Sequence, residues 1–224
     1  MSLNFIIHAI VVIMSLLGLI IYFYAFYLGY KYHHLGKESN LPEKLYFTGG
    51  YPALIWYALP FFKQPRMQSI YDWFRGDFTA FNLVYVLVLL GIFIYFSFFW
   101  VKRSMSKNIE ATKNSFYAPK KLLTQGIYGE VQHPMIIGDI LCHLSLILLT
   151  GALYTLWLYP LYIIMDLMMI KIQVKYSLEP YFEEELKVYR KTTPAYFNGK
   201  LSVITWTMAI FMVVNVLLHM GIVD

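Results

Sequence analysis

The chain has 224 residues, 59% of them hydrophobic and 14% charged, with a formal net charge of +5. That charge content is too low for an ordinary water-soluble domain, and several apolar runs reach the roughly 20 residues that a helix needs to cross a bilayer. The basic residues sit between apolar runs, where they set orientation and meet anionic lipid, so the charge does not point to nucleic acid.

Residues 5–30 form the first predicted span. The run is too long for a signal-peptide core and no small-residue cleavage site follows, so it reads as retained. A polar turn, YKYHHLGKE, closes it. Residues 45–62 are apolar but carry Gly49, Gly50, Pro52 and Pro60. They either cross as a broken helix or dip in and return. Residues 79–101 make the next clear span, closed by Lys102 and Arg103. Residues 135–151 and 152–170 make two more, with Gly151 as the turn of a tight helical hairpin. In residues 177–197, Leu178, Phe182, Leu186 and Tyr189 recur at three and four spacing, which predicts an amphipathic helix stopped at Thr193-Pro194. Glu183 and Lys187 are an i,i+4 pair on its wet side. Residues 201–223 are the last span. Cys142, the single cysteine, leaves no internal disulfide and no cysteine-rich metal site.

The loop expected at residues 102–121 holds six basic side chains and one acid, and residues 171–200 hold another six. Both segments belong in the cytosol by the positive-inside rule. Six crossings follow if residues 45–62 traverse, five if they do not. The expected fold is all-α: a polytopic membrane bundle of five to six transmembrane helices, with a cytosolic amphipathic helix between the last two. Residues 1–121 form an N-terminal membrane region, 122–197 a catalytic region and 198–224 a C-terminal membrane helix. The hairpin makes the stretches before Met135 and after Ile170 neighbours on one face, which places a candidate site there from topology alone.

Pro134 suits the first turn of a helix, so His133 stands at a helix entrance, where free N–H groups favour an anionic ligand group. Asp139 and His143 share a helix face inside the bilayer, and Asp166 lies near the cytosolic end of the next span. Ionisable groups there mark function by default, and these three are substrate-binding candidates. Glu179 lies near the hairpin exit, whereas Glu183, Glu184 and Glu185 read as a solvated face.

Gly126, Tyr128, Val131, His133, Pro134, Met135 and Gly138, followed by Leu178, Phe182, Tyr189, Thr193 and Pro194, resemble the two-part motif of the isoprenylcysteine carboxyl and phospholipid methyltransferases. The arginine of that motif is Gln132 here, its tyrosine is Ile136, and its paired glutamates fall at Val174 and Lys175. The resemblance covers residues 122–197. It implies an S-adenosylmethionine-dependent methyltransferase of the cytoplasmic or endoplasmic reticulum membrane, acting on a membrane lipid or other lipophilic acceptor. It further implies cofactor binding by Gly126, Tyr128, Val131, Gln132, His133, Pro134, Gly138 and Tyr189, with His133 as a catalytic candidate. Glu179, one helical turn beyond Lys175 and on the same side, is the second catalytic candidate, as a displaced carboxylate. Two alternatives stand beside it. Gly126, Gly129, His133, Gly138 and Asp139 also resemble the NADPH-dependent sterol and steroid reductases, and the lost arginine and glutamates fit a non-catalytic lipid-binding protein.

Overall fold

The computed structural model describes residues 3–37, 39–67, 80–112 and 116–219. Thr79 and residues 220–223, at the ends of two predicted spans, lie outside them. Helix α1 is Leu3–His34, and α2 is Leu41–Ile55, continued by a 3-10 stretch at Trp56–Phe61. Helix α3, Ala80–Ile94, runs through a π-helical segment, Tyr95–Val101, into α4, Lys102–Thr112. The short α5, Ile127–Glu130, precedes α6, Pro134–Thr150. Helix α7, Leu153–Gln173, passes through a second π segment, Val174–Leu178, into α8, Glu179–Thr192, and α9 is Gly199–His219.

Phe5–His34, Asn82–Thr112 and Leu153–Thr192 are long and apolar enough to cross a membrane, and α6 and α9 are shorter apolar helices. The protein is an integral membrane helical bundle. Its lipid-facing surface includes Ile13, Leu17, Ile20, Leu87, Trp157 and Trp206, all exposed on the bundle. Helix α6 is its central post. It contributes Ile137, Leu141 and Leu148 to a core shared with α3, α5 and α9, and Ile140 and Ile147 to a second core shared with α1, α7 and the 3-10 stretch. A helix apolar on nearly every side has to be covered on nearly every side.

Cross-links between helices fix their directions. Tyr85 Oη donates to the Leu148 carbonyl at 2.6 Å, and Trp100 Nε1 donates to the Pro134 carbonyl at 2.6 Å, so α3 runs antiparallel to α6. Tyr159 Oη donates to the Ile140 carbonyl at 2.6 Å, which sets α7 antiparallel to α6 as well. Gly151, in a left-handed conformation with φ +64°, closes the α6–α7 hairpin as expected. The extended residues after the 3-10 stretch seal this tip. Met67 N–H donates to the Gly151 carbonyl, Leu153 N–H to the Pro65 carbonyl, and Arg66 Nη1 to the Thr150 carbonyl at 2.7 Å.

Residues 45–62 run the full depth of the bundle. Leu41 starts near the end of α1, at the end of the bundle that carries the basic segments, and Pro65 finishes at the hairpin tip. The pairing with α1 is antiparallel: Tyr46 packs on Tyr22 and Phe26, and Trp56 Nε1 donates to Ser15 Oγ at 2.7 Å. Asn198 at the entrance to α9 reaches Glu130 at the basic end, and Phe211 further along packs on Tyr85 near the tip. Among the described residues, six helical segments thus run between the two ends. One expectation needs correcting. Residues 102–112 are helical, because nothing between Val101 and Thr112 breaks the helix and Ser104 Oγ bonds back to the Trp100 carbonyl at 2.7 Å.

Gly49 lets α1 and α2 touch backbone to backbone. A Cβ there would stand 2.6 Å from Tyr22 N and 2.8 Å from Gly18 O, while one at neighbouring Gly50 would meet nothing within 4 Å. Gly49→Ala is expected to cost about 1–3 kcal/mol through overpacking. Gly50→Ala is expected to gain up to about 1 kcal/mol from helix propensity. Thermal midpoints of the two variants in detergent micelles check this, and equal shifts would mean that the helices do not meet at Gly49.

Candidate active site at the basic end

Three polypeptide segments converge where α6 begins. The first is the His133-Pro134 entrance. Pro134 occupies the first helical turn and His133 is the N-cap residue, with a ring that makes no capping bond to α6. The second is α8, whose apolar stripe turns inward with Leu186 and Tyr189 buried. The third is α4, the polar continuation of α3. The stitching is specific. Gln132 N–H donates to the Pro194 carbonyl at 3.0 Å, and Gln132 Nε2 donates to the Thr193 carbonyl at 2.6 Å. Tyr189 Oη donates to the Tyr128 carbonyl. The juxtaposition expected from the hairpin alone is therefore present as hydrogen bonds.

Between these segments lies a cleft of about 750 Å³, counted to its open mouth. Tyr128, Gln132, His133, Pro134 and Tyr189 line it, together with Met135 and Ile136 from the first turn of α6. Asn108 and Thr112 of α4, Lys121, Gln173 and Ser177 near the second π segment, and Arg190 complete its polar wall. Asn108 and Thr112 lie in the segment that reads as a basic loop in the sequence. Its helix has an inner face, with Ser104 and Ala111 seven residues apart and both buried, a face that packing sets and apolar periodicity does not mark.

Burial and the Arg190 guanidinium push the His133 imidazole down to about 4. At neutral pH it is uncharged and offers a free ring nitrogen. Arg190 Nη2 meets Glu179 Oε1 at 3.1 Å, a half-exposed pair on the outer side of the cleft. Glu179 lines the neighbouring surface hollows beside Arg190, so it reaches the cleft through that cation. Val174, where a glutamate of the resembled motif would fall, faces the cleft itself. Glu183 and Lys187 form the expected exposed pair at 2.9 Å.

The other candidates lie apart from the cleft walls. Gly126 adopts φ +65° at the start of α5, a turn position that favours glycine. Val131 is fully buried in the α3–α6–α9 core. Gly138 admits Trp100: a Cβ there would stand 2.4 Å from Trp100 Cδ1. Asp139 accepts hydrogen bonds from Tyr57 Oη at 2.6 Å and from Tyr162 Oη. His143 Nε2 donates to the Trp56 carbonyl at 3.2 Å. Asp139 and His143 do share a helix face, and that face holds the 3-10 stretch and α7. Asp166 is buried on α7 with Oδ2 unpartnered among the described residues.

The model of the phospholipid methyltransferase family matches residues 80–184. The match runs from the start of α3 into α8 and takes in most of the cleft wall, stopping short of Leu186, Tyr189, Arg190 and the Thr193-Pro194 turn. No curated protein and no solved structure matches the chain.

In the unfolded chain His133 returns to about 6.5. The unfolded state then binds a proton between pH 6.5 and 4 that the folded state does not. Stability linked to the neutral ring is full above 6.5 and is lost as the pH falls toward 4, by up to about 3 kcal/mol. His133→Gln is expected to remove that part of the acid destabilisation. Unfolding midpoints of both proteins measured from pH 7 to 4 check the difference, and parallel curves would refute it.

Proposed function

From the phospholipid-methyltransferase-like region as premise, we propose that the protein transfers a methyl group from S-adenosylmethionine to a lipid or lipophilic acceptor at the cytosolic membrane interface. The observation that carries this reading is the single cleft in which the His133-Pro134 entrance, α4 and α8 converge at the end of the bundle where the basic segments lie. A charged cofactor is excluded from lipid and a lipid is held in it, so a reaction between them belongs at that level.

The side chains present suit such a cofactor. Arg190 and the free N–H groups of the first turn of α6 match a carboxylate. Asn108, Thr112, Gln173 and Ser177 supply neutral donors and acceptors for hydroxyls and ring nitrogens, and Leu122, Leu178 and Leu186 supply apolar cover for a base. Tyr128 and Tyr189 bring aromatic rings to a positively charged group. When bound, S-adenosylmethionine supplies an electrophilic methyl group. The chain's part is alignment and the exclusion of water more than strong base chemistry, since an imidazole held near 4 is a weak base. His133 accepts a hydrogen bond at its unprotonated ring nitrogen and orients the attacking atom. Glu179 holds Arg190 at 3.1 Å and fixes where the guanidinium sits.

What sets the reductase alternative apart is Asp139 after Gly138, since Gly138 belongs to both resemblances. Asp139 is engaged inside the bundle between two tyrosine hydroxyls, away from the cleft. This favours the methyltransferase.

S-adenosylhomocysteine at one hundred times its Kd is expected to stabilise the purified protein by about 2.7 kcal/mol, with no comparable effect from NADP. His133→Ala is expected to weaken that binding without unfolding the protein, as read by calorimetry. Stabilisation by NADP alone would favour the reductase, and by neither ligand the lipid-binding protein.

Glu179→Gln leaves Arg190 unpaired and is expected to lower methyl transfer to extracted membrane lipids by about tenfold to a hundredfold. Glu184→Gln, on the wet face, is expected to change it little. Equal small effects would return Glu179 to the surface.

A further inference from the structure

A second concavity lies on the opposite face of α4. It is an open trough of about 1260 Å³, counted to its mouth. Its lower part is the π segment, where Tyr95, Phe98 and Phe99 line it. Phe98 and Phe99 are 63% and 64% exposed at the end of an apolar span, so their rings face acyl chains. Its upper rim follows at once in sequence, with Lys102, Arg103 and Lys107 from α4 and Glu130 from α5. Lys107 is paired with Glu110 at 3.1 Å. Among the described residues, no carboxylate lies within ion-pair distance of Lys102 or Arg103.

The trough is separate from the cleft. Asn108, Ala111 and Thr112 face the cleft, while Lys102, Arg103, Ser106 and Lys107 face the trough, so α4 stands between the two. They share one wall. Trp100 lines the trough, fills the space left by Gly138, and bonds to the Pro134 carbonyl at the mouth of the cleft.

We propose that this trough binds one acidic phospholipid, with its phosphate on Lys102 and Arg103 and an acyl chain along Phe98 and Phe99. The shape and the charge agree. An aromatic floor at acyl depth runs directly into unpaired cations at headgroup depth, the order in which a phospholipid presents its own parts. Binding there braces Trp100 from behind, so the lipid supports the cleft without entering it.

The test uses the full-length protein in mild detergent, with native mass spectrometry counting bound lipid and a thermal midpoint read alongside. Dioleoyl phosphatidylglycerol is expected to be retained and stabilising, and dioleoyl phosphatidylcholine much less so. Lys102→Gln with Arg103→Gln is expected to weaken that retention by about fivefold per charge removed. Lys191→Gln with Lys200→Gln, an equal charge loss elsewhere, is expected to leave it unchanged. Glu130→Gln is expected to strengthen retention, a gain that misfolding cannot mimic. Three results would overturn the proposal. The first is equal losses in the two double variants. The second is equal or better retention of phosphatidylcholine or phosphatidylethanolamine. The third is stabilisation by inorganic phosphate alone to the same extent, which would make the site one for free phosphate.

Discussion

The clasp between Gln132 and the Thr193-Pro194 turn holds the rest of the site in register. Two hydrogen bonds, at 3.0 and 2.6 Å, join the segment entering α6 to the segment leaving α8. Without them the hairpin would still bring both chain ends to one membrane face, with fewer ties to set their spacing. Tyr189 adds a third tie to the Tyr128 carbonyl, and the cleft is the space left between these ties and α4. A net hydrogen bond contributes about 1 kcal/mol, yet an unsatisfied buried amide costs as much again or more, so the clasp is hard to open piecemeal.

The same clasp is made by a residue that departs from the resembled motif. An arginine in place of Gln132 would be a rigid multiple donor with a fixed charge and no acceptor atom. A glutamine amide can donate to a backbone carbonyl without bringing a charge into the core of the site. Arg190 lines the cleft from α8 with Glu179 beside it, and Lys121 lines it as well.

Much of this was legible in the sequence, and for identifiable reasons. Gly151 marked the hairpin because a left-handed residue is needed to stop one helix and start the next. Pro134 marked a helix start because its missing N–H is harmless there. The spacing of Leu178, Phe182, Leu186 and Tyr189 gave the inner face of α8, though Phe182 itself departs from helical geometry at φ −135°. What stayed hidden depends on contacts far apart in the chain. That Gly138 accommodates Trp100, or that Asp139 is held by Tyr57 and Tyr162, requires knowing which helices are neighbours. Residues 45–62 were ambiguous because Gly and Pro break the local signal, while the antiparallel pairing with α1 that settles their path lies outside any local window. The inner face of α4 was missed because packing sets it and apolar periodicity does not mark it over that stretch.

The run formed by α7, the second π segment and α8 belongs to two environments at once. Leu153–Thr192 is apolar enough at its start to cross a bilayer and forms a wall of the cleft at its other end. It is not one straight rod: the helical ladder changes at Val174–Leu178, and Phe182 leaves helical geometry at φ −135°. A helix adjusts its tilt to the thickness of the hydrocarbon around it. Two breaks separate the embedded part from Tyr189 and Arg190, so the cleft wall takes its position from its own ties to the Tyr128 carbonyl and the Gln132 side chain and not from the direction of α7.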